Sequence, residues 1–332
     1  MESILASLVI CTYNQEDYVA ETIEGALNQT YSPLEILIFD DASTDNTWDV
    51  IVKMVDGYLQ HGCVHTVILN RNSHNLGIMG NNQLAMAKAK GEIMIACGGD
   101  DICMPNRVSR IVEEWIKADK SALSIYHGAW KIDSGGRHVG ELGDFYFNEG
   151  TLGAVAAYSR ELLTIYGPVA ERGAVEDEVY GNRALILGRR LNIHENLLKY
   201  RVGVGVSSGY RDYRRKQIRV LGVFKLCSIR QSYRDLEKVR GFITPERYQV
   251  MYDRFHKQEK EMREWLTLWE GKTFKERYSS FRRVMGDCNK KRLIIAIVLL
   301  FPRRVGDLLF LIMNHCVSIY DRISHLKRSR LS

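Results

Sequence analysis

No window of about 18 apolar, uncharged residues occurs in the 332-residue chain, so an ordinary membrane-spanning helix is not written into it. Five prolines against 27 glycines exclude collagen-like and Pro-rich architectures. The seven cysteines (11, 63, 97, 103, 227, 288 and 316) form an odd, scattered set with no Cys-x-x-Cys pair, as expected in a reduced compartment. Met1-Glu2-Ser3-Ile4 has neither the basic start nor the apolar core of a signal peptide, which predicts a cytoplasmic location. Phosphate loops are missing as well. No G-x-G-x-x-G follows the first apolar run and no G-x-x-x-x-G-K-[ST] occurs, against a dinucleotide or P-loop cradle.

What is present is an ordinary globular composition, 45% hydrophobic and 26% charged, with its charge unevenly divided. Residues 1–200 hold 16 Lys and Arg against 27 Asp and Glu, a balance of −11. Residues 201–332 hold 30 against 13, a balance of +17. Two territories with different partners follow from that split. The basic one suits nucleic acid, an anionic lipid surface or a phosphorylated substrate, and the acidic one a divalent cation.

The first 200 residues alternate strands and helices. Apolar runs at 7–11, 34–39, 64–69 and 93–97 read as strands, separated by helical periodicity such as Trp48, Ile51, Val52, Val55 and Leu59. That order implies βαβ units and a mostly parallel sheet, whose ligands bind at the carboxyl ends of the strands. Those ends carry Thr12-Tyr13-Asn14, Asp40-Asp41 and Asp100-Asp101, so three polar clusters are expected on one rim. A bound diphosphate would need a counter-charge, and a metal at Asp100 and Asp101 would supply one.

Five segments in order resemble the family 2 glycosyltransferases, inverting enzymes with a GT-A fold. They are Ser7-Leu-Val-Ile-Cys-Thr-Tyr-Asn14, the V-D-D-G-S-x-D-x-T-like stretch from Leu37 to Thr47, Asn75-Leu-Gly77 with Lys90-Gly91-Glu92, Gly98-Gly99-Asp100-Asp101 with Pro105-Asn-Arg107, and Val175-Glu176-Asp177-Glu178 with Arg183. The likeness covers residues 4–207 and ends at Tyr200-Arg201. It implies that Thr12, Tyr13, Asn14 and Glu16 line the nucleotide pocket with Asp40 and Asp41. It implies Mn²⁺ or Mg²⁺ on Asp100, with Asp101 beside it, and Asp177 as the base that deprotonates the acceptor, with Glu176 next in line. Gly98 replaces the first Asp of the usual D-x-D, and Gln83 stands where the family has Asn. The processive R/Q-x-x-R-W signature is absent, which favours transfer of a single sugar.

The chemistry wants such residues. Inverting transfer needs a base on the acceptor side and charge neutralisation on the departing diphosphate. Glu176-Asp177-Glu178 before the apolar run 184–187 would open a helix, where acids favour the positive end.

Beyond residue 207 the pattern turns to long basic helices, giving an expected catalytic domain at 1–207 and a helical C-terminal region at 208–332. A basic run from Gly209 to Arg215 suits a lid over the diphosphate. Apolar segments at 293–301 and 308–320, rimmed by Lys and Arg, suit peripheral attachment to an anionic membrane. By resemblance to bacterial surface-polysaccharide enzymes, the expected reaction moves one sugar, from a UDP-sugar by preference, onto a lipid-linked oligosaccharide at the cytoplasmic face of the inner membrane. No recognition helix or finger for nucleic acid is present. The competing expectation is a catalytically degenerate sugar-nucleotide-binding module, for which Gly98 is the support.

Overall fold

A computed structural model describes residues 4–62, 64–142, 152–204, 215–270 and 273–285. Nine strands form one sheet in the order β3-β2-β1-β4-β8-β6-β9-β5, with β7 on β6. The first four are β1 (Ala6–Thr12), β2 (Leu34–Asp40), β3 (Thr66–Arg71) and β4 (Ile93–Gly98). Every pairing among them is parallel. They alternate with α1 (Val19–Leu27), α2 (Thr47–Gln60) and α3 (Gly77–Lys88).

β1 and β2 are apolar along their length because both sheet faces are covered: Leu8, Ile10, Ile36 and Ile38 are wholly buried. Each such side chain stabilises the fold by about 1.5–3 kcal/mol. A buried polar pair, Ser7 and Glu35, interrupts this layer. Glu35 accepts hydrogen bonds from Ser7 Oγ and from the Lys90 and Gly91 amides, and a Cβ on Gly91 would collide with Ser7.

Beyond the four parallel strands expected from the apolar runs, the sheet is mixed. β5 (Ile102–Cys103), α4 (Arg107–Lys117), β6 (Ser124–Ile132), β7 (His138–Glu141), a 3₁₀ turn at Gly153–Val155, β8 (Ala156–Ser159), α5 (Arg160–Tyr166), α6 (Glu176–Ile186) and β9 (Arg190–Arg201) follow in turn. β8 runs antiparallel between β4 and β6, while β9 pairs parallel with β6. Hydrophobic periodicity identifies a strand but carries no direction, so this half was not foreseeable from it.

After β9 come α7 (Arg215–Lys238), a 3₁₀ turn at Arg240–Phe242, α8 (Pro245–Glu270) and α9 (Phe274–Met285). Two compact units result: Met1–Tyr213 with Cys227–Asp253, and Arg214–Leu226 with Arg254–Ser332. The division expected at residue 207 differs from this one at 227–253. In that stretch α7 turns a polar face to α6: Asn182 Nδ2 donates to Ser232 Oγ at 2.9 Å. In the second unit, Arg283 Nε meets Glu264 Oε1 at 2.8 Å and Phe274 stacks on Tyr278. Among the described residues no helix is long and apolar enough to cross a membrane. The apolar segments 293–301 and 308–320, and 209–214 of the basic run, lie outside the described residues.

Candidate functional site

Strand register assembles the rim. Thr12 pairs with Asp40 across β1 and β2, and Cys11 with Gly98 across β1 and β4, so all three polar clusters end at one level.

The first two clusters knit two loops together. Asn14 adopts φ 51°, a left-handed conformation that asparagine tolerates, and its Oδ1 accepts the Thr44 amide at 2.9 Å. Its own amide donates to Ser43 Oγ at 2.9 Å. Glu16 Oε2 accepts the Asn46 amide at 2.9 Å and Asn46 Nδ2 at 2.7 Å, serving the start of α2. Asp40 is fully buried and accepts from Thr12 Oγ1, from Ser43 Oγ and from the Ser43 amide. Asp41 accepts the Leu76 and Gly77 amides at 2.8 and 2.9 Å, and so caps α3 from a distance. Tyr13 stands out from this network, 44% exposed, with its ring on the rim.

The structure adds a residue that sequence reasoning passed over. Arg71, at the end of β3, holds Asp40 Oδ2 at 3.6 Å, donates to Ser43 O at 3.0 Å and lies over Trp48. Only the β2–β3 register brings it there, Asp40 opposite Arg71.

At the third cluster the two aspartates part company. Asp101 is buried and its Oδ1 accepts the Arg201 amide at 2.9 Å, tying the turn to β9. Arg201, itself buried, donates to Asp100 O at 3.0 Å and to Glu21 Oε2 at 2.6 Å, and lies over Tyr18. Asp100 is half-buried and hydrogen-bonded by Gln15. Burial pushes its carboxyl up, partly offset by Gln15 and Arg201. Burial, then Asp100, push Asp101 further.

Gly98 and Gly99 fit this turn for steric reasons. A Cβ on Gly98 would lie 2.9 Å from Asp100 Oδ1 and 3.2 Å from Asp101 Oδ2. On Gly99 it would overlap Gln15 Oε1. The missing first Asp therefore leaves room that both carboxylates occupy. Among the described residues no group of three His, Cys, Asp or Glu side chains could hold a metal by itself. Arg107 belongs to the scaffold: buried, it donates to His127 Nε2, Ala96 O and Ala154 O.

The acceptor-side candidates, Glu176 and Asp177, open α6 with Glu178 beside them in its first turn. Asp177 Oδ2 accepts the Gly153 amide at 3.3 Å, and Glu176 Oε2 is a buried oxygen with no hydrogen-bond partner among the described residues. Burial raises Glu176 to about 7, with Glu178 contributing, and lifts Asp177 well above the carboxylate range, with Glu176 and Glu178 adding to it. A helix N-terminus favours carboxylates by about 0.3–1 kcal/mol, so desolvation outweighs it here. Cys11 links this cluster to the rim, because burial and then the charges of Glu176 and Asp41 raise its thiol to about 12.

α6 is held by residues that sequence reasoning gave no role. Arg183 Nε and Nη2 grip Asp235 at 2.8 and 3.2 Å. Val175, just before the carboxylates, donates its amide to Ser228 Oγ at 3.0 Å. Gln83, noted as a departure, accepts the Val169 amide at 2.8 Å.

Sequence relatives match parts of this chain. A β-1,3-glucosyltransferase of Escherichia coli, WfaP, described as acting from UDP-Glc on α-D-GlcNAc-diphosphoundecaprenol, is 36% identical over 105 residues, 32% of this chain and 39% of that protein. An uncharacterised glycosyltransferase of Nostoc is 27% identical over 219 residues, 59% of this chain and 64% of that protein. The chain thus spans less than two thirds of these relatives' own lengths.

Two solved structures share the fold at low identity. S. aureus TarS 1–349 has a TM-score of 0.55 at 16% identity, over 92% of this chain and 82% of that one. Mannosyltransferase PcManGT from Pyrobaculum calidifontis, solved with GDP-Man and Mn²⁺, has a TM-score of 0.58 at 15% identity, over 97% and 88%. Residues 7–211, more than half the chain and the stretch that builds the whole rim, match the family model, and the protein belongs to glycosyl transferase family 2.

Proposed function

We propose that the chain transfers one sugar, with inversion, from a nucleoside-diphosphate sugar to a hydroxyl of a lipid-linked oligosaccharide, with a uridine nucleotide as the favoured donor. The carrying observation is that two sets of carboxylates gather near the end of β1: Asp100 follows Gly98, the register partner of Cys11, and Glu176, beside Asp177 and raised with it toward neutrality, acts on the Cys11 thiol. The lipid-linked acceptor and the uridine donor rest on what the Escherichia coli relative is described as using.

Donor binding falls to the knitted loops. The exposed Tyr13 ring offers a stacking face for a base, and Arg71 beside Asp40 offers donors to its polar edge. Thr12, Asn14 and Glu16 fix the loop that carries Tyr13.

Asp100 fits a divalent cation: its carboxylate is penalised by burial, a cost that a cation relieves, while Asp101 is committed through Oδ1 to Arg201. Such a cation, Mn²⁺ or Mg²⁺, would neutralise charge on the diphosphate leaving group. Asp177, or Glu176 beside it, takes the proton from the acceptor hydroxyl. The acceptor oxygen then bonds to the anomeric carbon as the bond to the diphosphate oxygen breaks, and the nucleoside diphosphate departs. A base near pH 7 combines sufficient basicity with the right protonation state.

The site is served at the membrane by peripheral attachment through the apolar, basic-rimmed segments at 293–301 and 308–320. A chain ending near residue 288 should lose affinity for anionic vesicles, and equal partitioning would refute the attachment. A binding module without turnover rests on Gly98 alone, whose space the Asp100 and Asp101 oxygens fill.

Nucleoside-diphosphate release from UDP-, dTDP- and GDP-sugars with Mn²⁺, with and without a bacterial lipid extract, tests the reading. Extract-stimulated, EDTA-sensitive release from one donor supports transfer. Metal-dependent nucleotide binding without release supports the module instead.

A further inference from the structure

Residues 167–175 lead directly into the acceptor-side carboxylates, yet no helix or strand forms there. Side chains hold the segment. Arg183 Nη1 donates to Gly167 O at 2.9 Å, and Gln83 Oε1 accepts the Val169 amide at 2.8 Å. Gln231 Oε1 accepts two successive amides, Ala170 at 2.9 Å and Glu171 at 3.2 Å. Ser228 Oγ takes the last, Val175 at 3.0 Å.

Ser228, Gln231, Ser232 and Asp235 follow helical spacing on α7 and are all buried. They form a polar stripe beside Ile229 and Leu236 of the same helix, which are also buried. The stripe is internally braced: Gln231 Nε2 donates to Asp235 Oδ1 at 3.0 Å and Ser232 Oγ to Ser228 O at 2.9 Å. Buried polar groups cost stability unless paired, so a stripe of four needs a polar counterpart, and the strand-free segment and α6 provide it. Both Ser228 and Gln231 lie beyond residue 211, where the family match ends.

We propose that Ser228 and Gln231 are positioning residues for transfer: they fix the segment that sets where Glu176 and Asp177 stand, so that a helix outside the family-matched stretch controls the acceptor side of the site. This rests on the transfer reading above. Neither side chain touches the reacting atoms. Their effect is geometric, and misplacing a base by about 1 Å can lower a rate on the order of a hundredfold.

The test uses the full chain with Ser228→Ala, Gln231→Ala and Ser228→Thr. Ser228→Ala and Gln231→Ala should speed amide hydrogen exchange over residues 167–178 while leaving β1–β4 protected. Donor Kd should stay unchanged, and kcat should fall on the order of tenfold or more. Ser228→Thr keeps the accepting oxygen and should restore both exchange and kcat. Unchanged exchange in Ser228→Ala and Gln231→Ala, or faster exchange with kcat intact, overturns the positioning role alone. Turnover absent from the unsubstituted chain overturns the transfer reading and this proposal together.

Discussion

Arg183 and Asp235 lie 52 residues apart in sequence and meet through two N–H···O contacts of 2.8 and 3.2 Å, both side chains buried. The same guanidinium lies over the Tyr166 and Tyr180 rings. This pair ties the helix that carries the candidate base to α7. Removing one partner strands the other charge in a dry site. Asp235→Ala should therefore cost about 3–5 kcal/mol, read by urea unfolding. A cost below about 1 kcal/mol would show that water or another group replaces the carboxylate.

The pH dependence of transfer follows from the α6 carboxylates. Glu176 sits near 7 and Asp177 is raised well above its usual range, both chiefly by burial. Facing groups are Glu178 on α6, Cys11 on β1, and Tyr158 and Tyr180, whose phenols also feel Glu176. A base works deprotonated, so kcat should fall as pH drops through neutrality, far above the ordinary carboxylate range. Asp177→Asn should lower kcat by about 10²–10⁴ with the fold intact. Full activity in that variant would move the base to Glu176.

The same shifts make a stability prediction of opposite sign. A folded-state pKa raised above the unfolded value stabilises at low pH, where both states hold the proton. That contribution shrinks as pH rises from the ordinary glutamate value toward about 7. Glu176→Gln should therefore flatten the loss of stability across this window, measured as Tm against pH. An unchanged profile would mean that another group titrates there.

Asp100 and Asp101 should separate by assay. Asp100→Ala should abolish Mn²⁺-dependent nucleotide binding in calorimetry with little change in Tm. Asp101→Ala leaves the buried Arg201 amide without its acceptor and should cost about 1–3 kcal/mol. Gly98→Ala places a methyl 2.9 Å from Asp100 Oδ1 and should weaken metal-dependent binding. Equal metal affinity in the Asp100→Ala protein would remove this turn from the cation site.

Ala42 is held at φ 59°, in the left-handed region that costs a residue with a Cβ about 1–2 kcal/mol. Ala42→Gly should raise stability by about 1 kcal/mol, part of the relief being offset by glycine's greater unfolded-state freedom. A loss of stability would mean that the methyl contributes more than its strain.

The parallel strands β1–β4, the helices between them and the level at which Thr12, Asp40 and Asp100 cluster were legible in the sequence. Uninterrupted apolar runs ending in polar residues carry strand length and sheet end together, and α6 opened on Glu176, Asp177 and Glu178 as expected. Direction and distant pairing were not legible, because they depend on contacts between segments that no local pattern encodes. Tertiary structure alone turned β8 against β4, committed Asp41 to the start of α3 and gave Asp101 to Arg201. It also set Arg71 beside Asp40, and Ser228 beneath Val175. A polar side chain in a sequence shows only what it can bond, and the packed fold decides which partner arrives.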